Sequence, residues 1–145
     1  MTDSKFRQVA KDFYVAPQLQ AEDFAAARDA GIRTVINNRP DGEAPDQLSD
    51  AQARALAAAN GLEYEFVPVV TGRMGPDDVA AFATALAAHE GPYLAYCRSG
   101  TRSCHLWALA TAGERPVEET MQAAAAAGYD LGPTRPVIER LAGGG

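Results

Sequence analysis

Cysteine and histidine are scarce in this chain, with two of each among 145 residues. Two thiols, Cys97 and Cys104, are too few for a disulfide framework, and a structural zinc site needs more ligands than they supply. No resident metal or cofactor is therefore implied, and both thiols are expected to be free in a reducing, cytoplasmic setting. Basic residues are also in the minority: 13 Lys and Arg stand against 19 Asp and Glu, a net charge of −6. That balance leaves no cationic stripe for a nucleic acid or an anionic membrane surface, and both are excluded as expected partners. No apolar run approaches the roughly 18 residues of a membrane span. The opening Met1-Thr2-Asp3-Ser4-Lys5-Phe6-Arg7 has no apolar stretch behind its charges, so no secretory leader is expected.

What is present is enough apolar material, 47% of the residues, to fill one core. The length fits a single domain over residues 1–145. Its end, Gly143-Gly144-Gly145, reads as a flexible tail. Short β-branched or aromatic pieces alternate with Ala-rich helical ones. Phe13-Tyr14-Val15, Thr34-Val35-Ile36, the stretch from Tyr64 to Val69 and Tyr93-Leu94-Ala95-Tyr96 read as strands. Between them, helices are expected from Ala21 to Arg28, from Gln52 to Asn60 behind a Ser49 cap, and from Pro76 to a stop at Gly91. Two more, from Val117 to Ala127 and from Pro136 to Ala142, close the chain. Strands separated by helices need crossovers, so the expected fold is α/β: three layers, a mostly parallel sheet of four or five strands, and helices on both faces.

Residues 93–109 carry the chemistry. An apolar strand runs into Cys97-Arg98-Ser99-Gly100-Thr101-Arg102-Ser103, and Leu106-Trp107-Ala108-Leu109-Ala110 supplies a helix behind. Backbone N–H groups of such a loop converge in front of the helix N-terminus, where the dipole is positive and anions collect. A cysteine placed there is favoured as the thiolate, its reactive form. Cys97 and Arg102 are thus the candidate catalytic residues, the latter offering a planar fork to bound oxygens. Arg98, Ser99, Gly100, Thr101 and Ser103 are candidates for substrate binding. Arg39, after a parallel strand at the edge where α/β folds take ligands, joins them. Cys104, His89, His105 and Trp107 are expected to be packing or surface residues.

The loop from Tyr96 to Ser103 resembles the active loop of rhodanese-like sulfurtransferases, with four residues between Cys97 and Arg102. From about Phe13 to Leu131 the chain resembles a small bacterial phosphatase-like domain that also occurs fused to a metallo-β-lactamase-like sulfur dioxygenase. The resemblance rests on Ala16-Pro17-Gln18, the stretch from Val35 to Glu43, the Cys97 loop, and Ala127-Gly128-Tyr129-Asp130-Leu131. It implies the fold of dual-specificity phosphatases and either phosphatase or sulfurtransferase activity. Two departures bear on that choice. Tyrosine and dual-specificity phosphatases place one residue more between cysteine and arginine, and its removal takes out about 3.3–3.6 Å of contour. Where such enzymes carry an aspartate acid, this chain has Val70-Thr71-Gly72-Arg73; Asp41, Asp77 and Asp78 are the remaining candidates. The expectation is a persulfide-forming sulfurtransferase, with a low-molecular-weight thiol or persulfide as substrate and a sulfur-oxidising partner enzyme. The alternatives are a cysteine-dependent phosphatase acting on a small oxyanion substrate and a non-catalytic module that binds anions or persulfides.

Overall fold

The computed structural model describes residues 5–143. Gly144 and Gly145, on which most of the expected glycine tail falls, lie outside them. Five strands form one sheet: β1 (Arg7–Ala10), β2 (Phe13–Ala16), β3 (Thr34–Asn37), β4 (Glu63–Phe66) and β5 (Tyr93–Tyr96), in the order β1-β2-β5-β3-β4. Only β1 is antiparallel, paired with β2 in a hairpin; β2, β3, β4 and β5 run parallel. The sheet is mostly parallel, as expected, and has the larger of the two expected strand numbers, five. Strand β1 was not anticipated, because its sequence, Arg-Gln-Val-Ala, carries one fully buried side chain and little β signal. β4 is shorter than expected at its end. Pro68 has no N–H for the ladder, although Val67 and Val69 still donate to Asn37 and Asn38.

Helices cover both faces. Helices α1 (Ala21–Asp29) and α2 (Asp50–Ala59) pack on one side, where Phe24, Ala27, Ala53 and Ala57 meet Val35, Leu94 and Tyr96. On the other side lie α3 (Pro76–Ala88), α4 (Thr101–Ala110), α5 (Val117–Ala126) and α6 (Arg135–Ala142), around Phe82, Leu106, Trp107, Ala124 and Ile138. Alternation of side chains along β5 explains the division: Leu94 and Tyr96 belong to the first core, Ala95 to the second. Trp107, 1% exposed, is core as expected.

The helix starts follow local chemistry. Ser49 accepts from the Gln52 N–H at 3.1 Å while the Gln52 side chain accepts from the Ser49 N–H at 2.9 Å, a reciprocal cap on α2. Pro76 opens α3, and Asp78 reaches back to the Gly75 N–H at 2.8 Å. Among the described residues, no helix is long and apolar enough to cross a membrane.

Candidate active site

β5 is the central strand, flanked by β2 and β3, and Cys97 follows it directly at the carboxyl end of the sheet. Three loop residues later the chain enters α4 at Thr101, so the sulfur sits at the mouth of a helix N-terminus. Gly100 makes that geometry possible. Its φ is +96°, a left-handed conformation that side chains disfavour, and a Cβ there would run into the Tyr129 hydroxyl. The Gly100 N–H consequently donates to Cys97 Sγ at 3.1 Å. In the opening turn of α4 the Cys104 N–H reaches the Gly100 carbonyl, and among the described residues no backbone acceptor takes the N–H groups of Arg102 and Ser103.

Arg102 is the second residue of α4, and its side chain is 10% exposed. Its pKa is raised, first by its hydrogen bonds to Glu43 and then by the nearby Cys97, against the opposing effect of burial. Its guanidinium donates through both terminal nitrogens to the two Glu43 oxygens, at 2.8 and 2.9 Å, and to the Val69 carbonyl at 2.8 Å. Arg39 reaches the same carboxylate at 2.9 Å through Nε. The Arg102 hydrogen bonds, and then those of Arg39, hold the Glu43 carboxyl far below its usual range, at about 2, against the opposing effect of burial. Glu43 is therefore a permanent anion at neutral pH. Two buried arginines and one carboxylate form a fixed charged wall beside the thiol.

The remaining site residues divide by exposure. Arg98, Ser99 and Thr101 are exposed at the loop surface, where the Ser99 and Thr101 hydroxyls stand 2.9 Å apart. The loop is tied down from behind: the Gln18 N–H donates to the Arg98 carbonyl at 3.1 Å, and the Gln18 side chain accepts from Arg39 at 3.0 Å. Ser103, expected to bind substrate, is instead fully buried and donates to Asn38 Oδ1 at 2.8 Å. Asn38 in turn donates to the Val67 carbonyl, so this hydroxyl braces α4 against the ends of β3 and β4. Arg39 likewise binds Glu43, Gln18 and, through its backbone, Asn37.

Glu43 and Tyr129 lie in segments that carry the family resemblance, but the sequence reading gives neither a place in the site. A carboxylate four residues after Arg39, in a turn following a strand, was the available signal for Glu43. For Tyr129 there was only an aromatic residue following Gly128. Cys104 is fully buried on α4, where burial pushes its thiol up to about 12. Asp41 accepts from the Asp50 N–H at 2.7 Å and Asp78 from that of Gly75, so both are engaged in local capping, while Asp77 is exposed on α3. His105 meets Thr134 at 2.7 Å, and His89 bridges Glu63 and Glu65. A cleft of about 720 Å³ between α3, α4 and α6 is lined mainly by Val79, Leu109, Val137 and Leu141 and excludes the Cys97 loop.

Known proteins are similar to this chain in sequence and fold. A "Beta-lactamase hydrolase-like protein" of Xylella fastidiosa (strain 9a5c) is 37% identical over 130 residues, covering 88% of this chain and 30% of that protein. The chain thus spans under a third of that curated relative. The crystal structure of a provisionally assigned phosphatase from Neisseria meningitidis superposes with a TM-score of 0.83 at 33% identity, covering 95% of this chain and 99% of that one. The crystal structure of P. aeruginosa TpbA in complex with pTyr shares the fold, with a TM-score of 0.66 at 15% identity, covering 97% of this chain and 91% of that one. The architecture is that of the protein tyrosine and dual-specificity phosphatases, with a cysteine at the end of its central strand. Residues 5–114 match the family described as "Beta-lactamase hydrolase-like protein, phosphatase-like domain", and the chain belongs to that family.

Proposed function

We propose that this domain is a cysteine-dependent phosphatase acting on small phosphoric monoesters, with Cys97 as nucleophile and Arg102 as the oxyanion-binding fork. The observation that carries this reading is the joint placement of Cys97 Sγ, the Gly100 N–H, the opening N–H groups of α4 and the Arg102 guanidinium at one end of the central strand. In the first step the thiolate attacks phosphorus, the phosphorus–oxygen ester bond breaks, and the leaving oxygen takes its electron pair and then a proton from solvent water. In the second, water attacks phosphorus, the sulfur–phosphorus bond breaks, and phosphate leaves with the thiolate restored. Charge on the transferring group is met by fixed backbone donors, which need no reorganisation. Glu43 orients Arg102, and as a permanent anion it does not supply the proton. Aryl esters, whose leaving oxygen needs little help, are the expected substrates; proton donation is worth on the order of 10²–10⁴ in rate for poorer ones.

A second reading keeps the sequence expectation of sulfane-sulfur transfer. Its support is the loop itself, with four residues between Cys97 and Arg102 and a thiol only 1% exposed. A single transferred sulfur fits a tighter ring than a tetrahedral phosphoryl group does. Here the thiolate attacks the outer sulfur of a low-molecular-weight persulfide or thiosulfate, the donor's thiolate or sulfite leaves, and an acceptor thiol removes the sulfur from Cys97. The family relationship ranks phosphate first, reversing the order expected from loop spacing. One comparison separates the two: aryl phosphate and thiosulfate are offered to the protein and to Cys97→Ser, with released phosphate assayed and the intact protein weighed. Cys97-dependent phosphate release supports the phosphatase; an adduct of one sulfur atom without phosphate release overturns it in favour of sulfur transfer.

A further inference from the structure

Tyr129 follows Gly128, the left-handed residue (φ +98°) that turns the chain at the end of α5. It is 6% exposed, and the Arg7 guanidinium lies 5.4 Å from its ring centroid. Its hydroxyl donates to the Ser99 carbonyl at 3.0 Å. That carbonyl and the Gly100 N–H are the two ends of one peptide unit, which is planar and points them in opposite directions. The Gly100 N–H is the group that meets Cys97 Sγ at 3.1 Å. One end of the peptide is therefore held by the tyrosine while the other faces the sulfur. A donor on the carbonyl also polarises the peptide and strengthens its N–H as a donor. Gly100 fits the clamp because any Cβ would meet the same hydroxyl. Burial keeps the phenol protonated, so it stays a donor across the working pH range.

We propose that Tyr129 is a positioning residue for the Cys97 thiolate, its hydroxyl clamping the Ser99–Gly100 peptide so that the Gly100 N–H is aimed at the sulfur. This deepens the reading of Cys97 as nucleophile and holds for either group transferred. Among the described residues, the charged and titratable groups around the clamp and the thiol are Arg102 and Cys104 on α4, Tyr129 itself and Arg7 on β1.

The test is Tyr129→Phe in the full chain, with thiolate ultraviolet absorbance and alkylation of Cys97 followed across pH. Loss of one hydrogen bond to the peptide is expected to lower the alkylation rate on the acid side of the inflection by on the order of threefold to tenfold. The profile should move to higher pH while the alkaline plateau stays at the parent rate. A profile superimposed on the parent's, even with a lower melting temperature, would overturn the proposal, because that is what a purely structural role predicts. Should Tyr129→Phe not fold, the parent protein answers by NMR: the Gly100 amide resonance must move as Cys97 ionises and stay still in Cys97→Ser, and an unmoved resonance in the parent is equally fatal. Absence of phosphate release in the substrate assay, with the alkylation profile displaced, would sink the phosphatase reading and leave the clamp standing.

Discussion

Glu43 decides how Arg102 behaves. A guanidinium on a flexible stem has many rotamers, and a bidentate carboxylate is what selects one of them. Both terminal nitrogens of Arg102 are engaged by Glu43, with Val69 closing the set. Glu43→Gln keeps one acceptor and the volume but removes the charge and the second acceptor. Turnover is expected to fall by on the order of 10- to 100-fold, the scale of a misplaced catalytic group, with steady-state kinetics as the check; an unchanged kcat would dismiss the positioning role. Tyr96 presents the opposite case. It is fully buried, and among the described residues its hydroxyl has no hydrogen-bond partner. Burying an unsatisfied hydroxyl costs about 1–3 kcal/mol. Tyr96→Phe should therefore leave stability unchanged or raise it by up to about 1 kcal/mol, and a clear loss in chemical denaturation would show that the hydroxyl has a partner in solution.

At the scale of elements, helices were the more legible part. The signals for α2 and α3, a serine cap with a glutamine behind it and a proline at the first turn, act within one turn of chain. The observed starts at Asp50 and Pro76 obey them. The Ser49 cap is expected to be worth about 1 kcal/mol. Ser49→Ala should reduce unfolding free energy by that amount, measured by urea denaturation, with an effect near zero counting against the cap. Strand β1 escaped notice because it has no pattern of its own; it exists because β2, four residues long, pairs with it in a hairpin on the side away from β5. The loop between β5 and α4 was read correctly in position. One hydroxyl was not: Ser103 turns into the protein, toward an asparagine 65 positions earlier.

For the molecule as a whole, charge links stability to pH through groups with opposing signs. Glu43 is held at about 2 against an ordinary value of 4.5, so its contribution is fully present above about 4.5 and is lost as pH falls toward 2. His89 is raised, chiefly by its hydrogen bond to Glu65, so its contribution is present below the ordinary 6.5 and is lost as pH climbs through the higher folded value. His105 is lowered by burial, so its neutral form favours the fold above 6.5 and that benefit is lost as pH drops through the lower folded value. Thermal melts across pH should show an acid limb that flattens in Glu43→Gln. His89→Gln should remove stability on the mildly acidic side more than on the alkaline side. Because Glu63 and Glu65 are 66% and 40% exposed, the His89 effect should shrink in high salt. A Glu43→Gln acid limb as steep as the parent's would contradict this assignment.

The sequence by itself determined the local units and their alternation: a strand of apolar residues, a cysteine, a loop opened by glycine, and a helix behind. Those rest on propensities and caps that act over a few residues, so they are visible along the chain. They also imply parallel pairing, because short strands joined by helices can meet in few other ways. Only the tertiary structure decided which distant residues finish the site. Glu43 lies 59 positions from Arg102, and Tyr129 lies 30 from Ser99. Nothing in their immediate neighbours encodes those meetings. They follow from the strand order, which sets β3 beside β5 and so carries the turn after β3 to the Cys97 loop, and from the packing of α5 that returns Tyr129 to the same place.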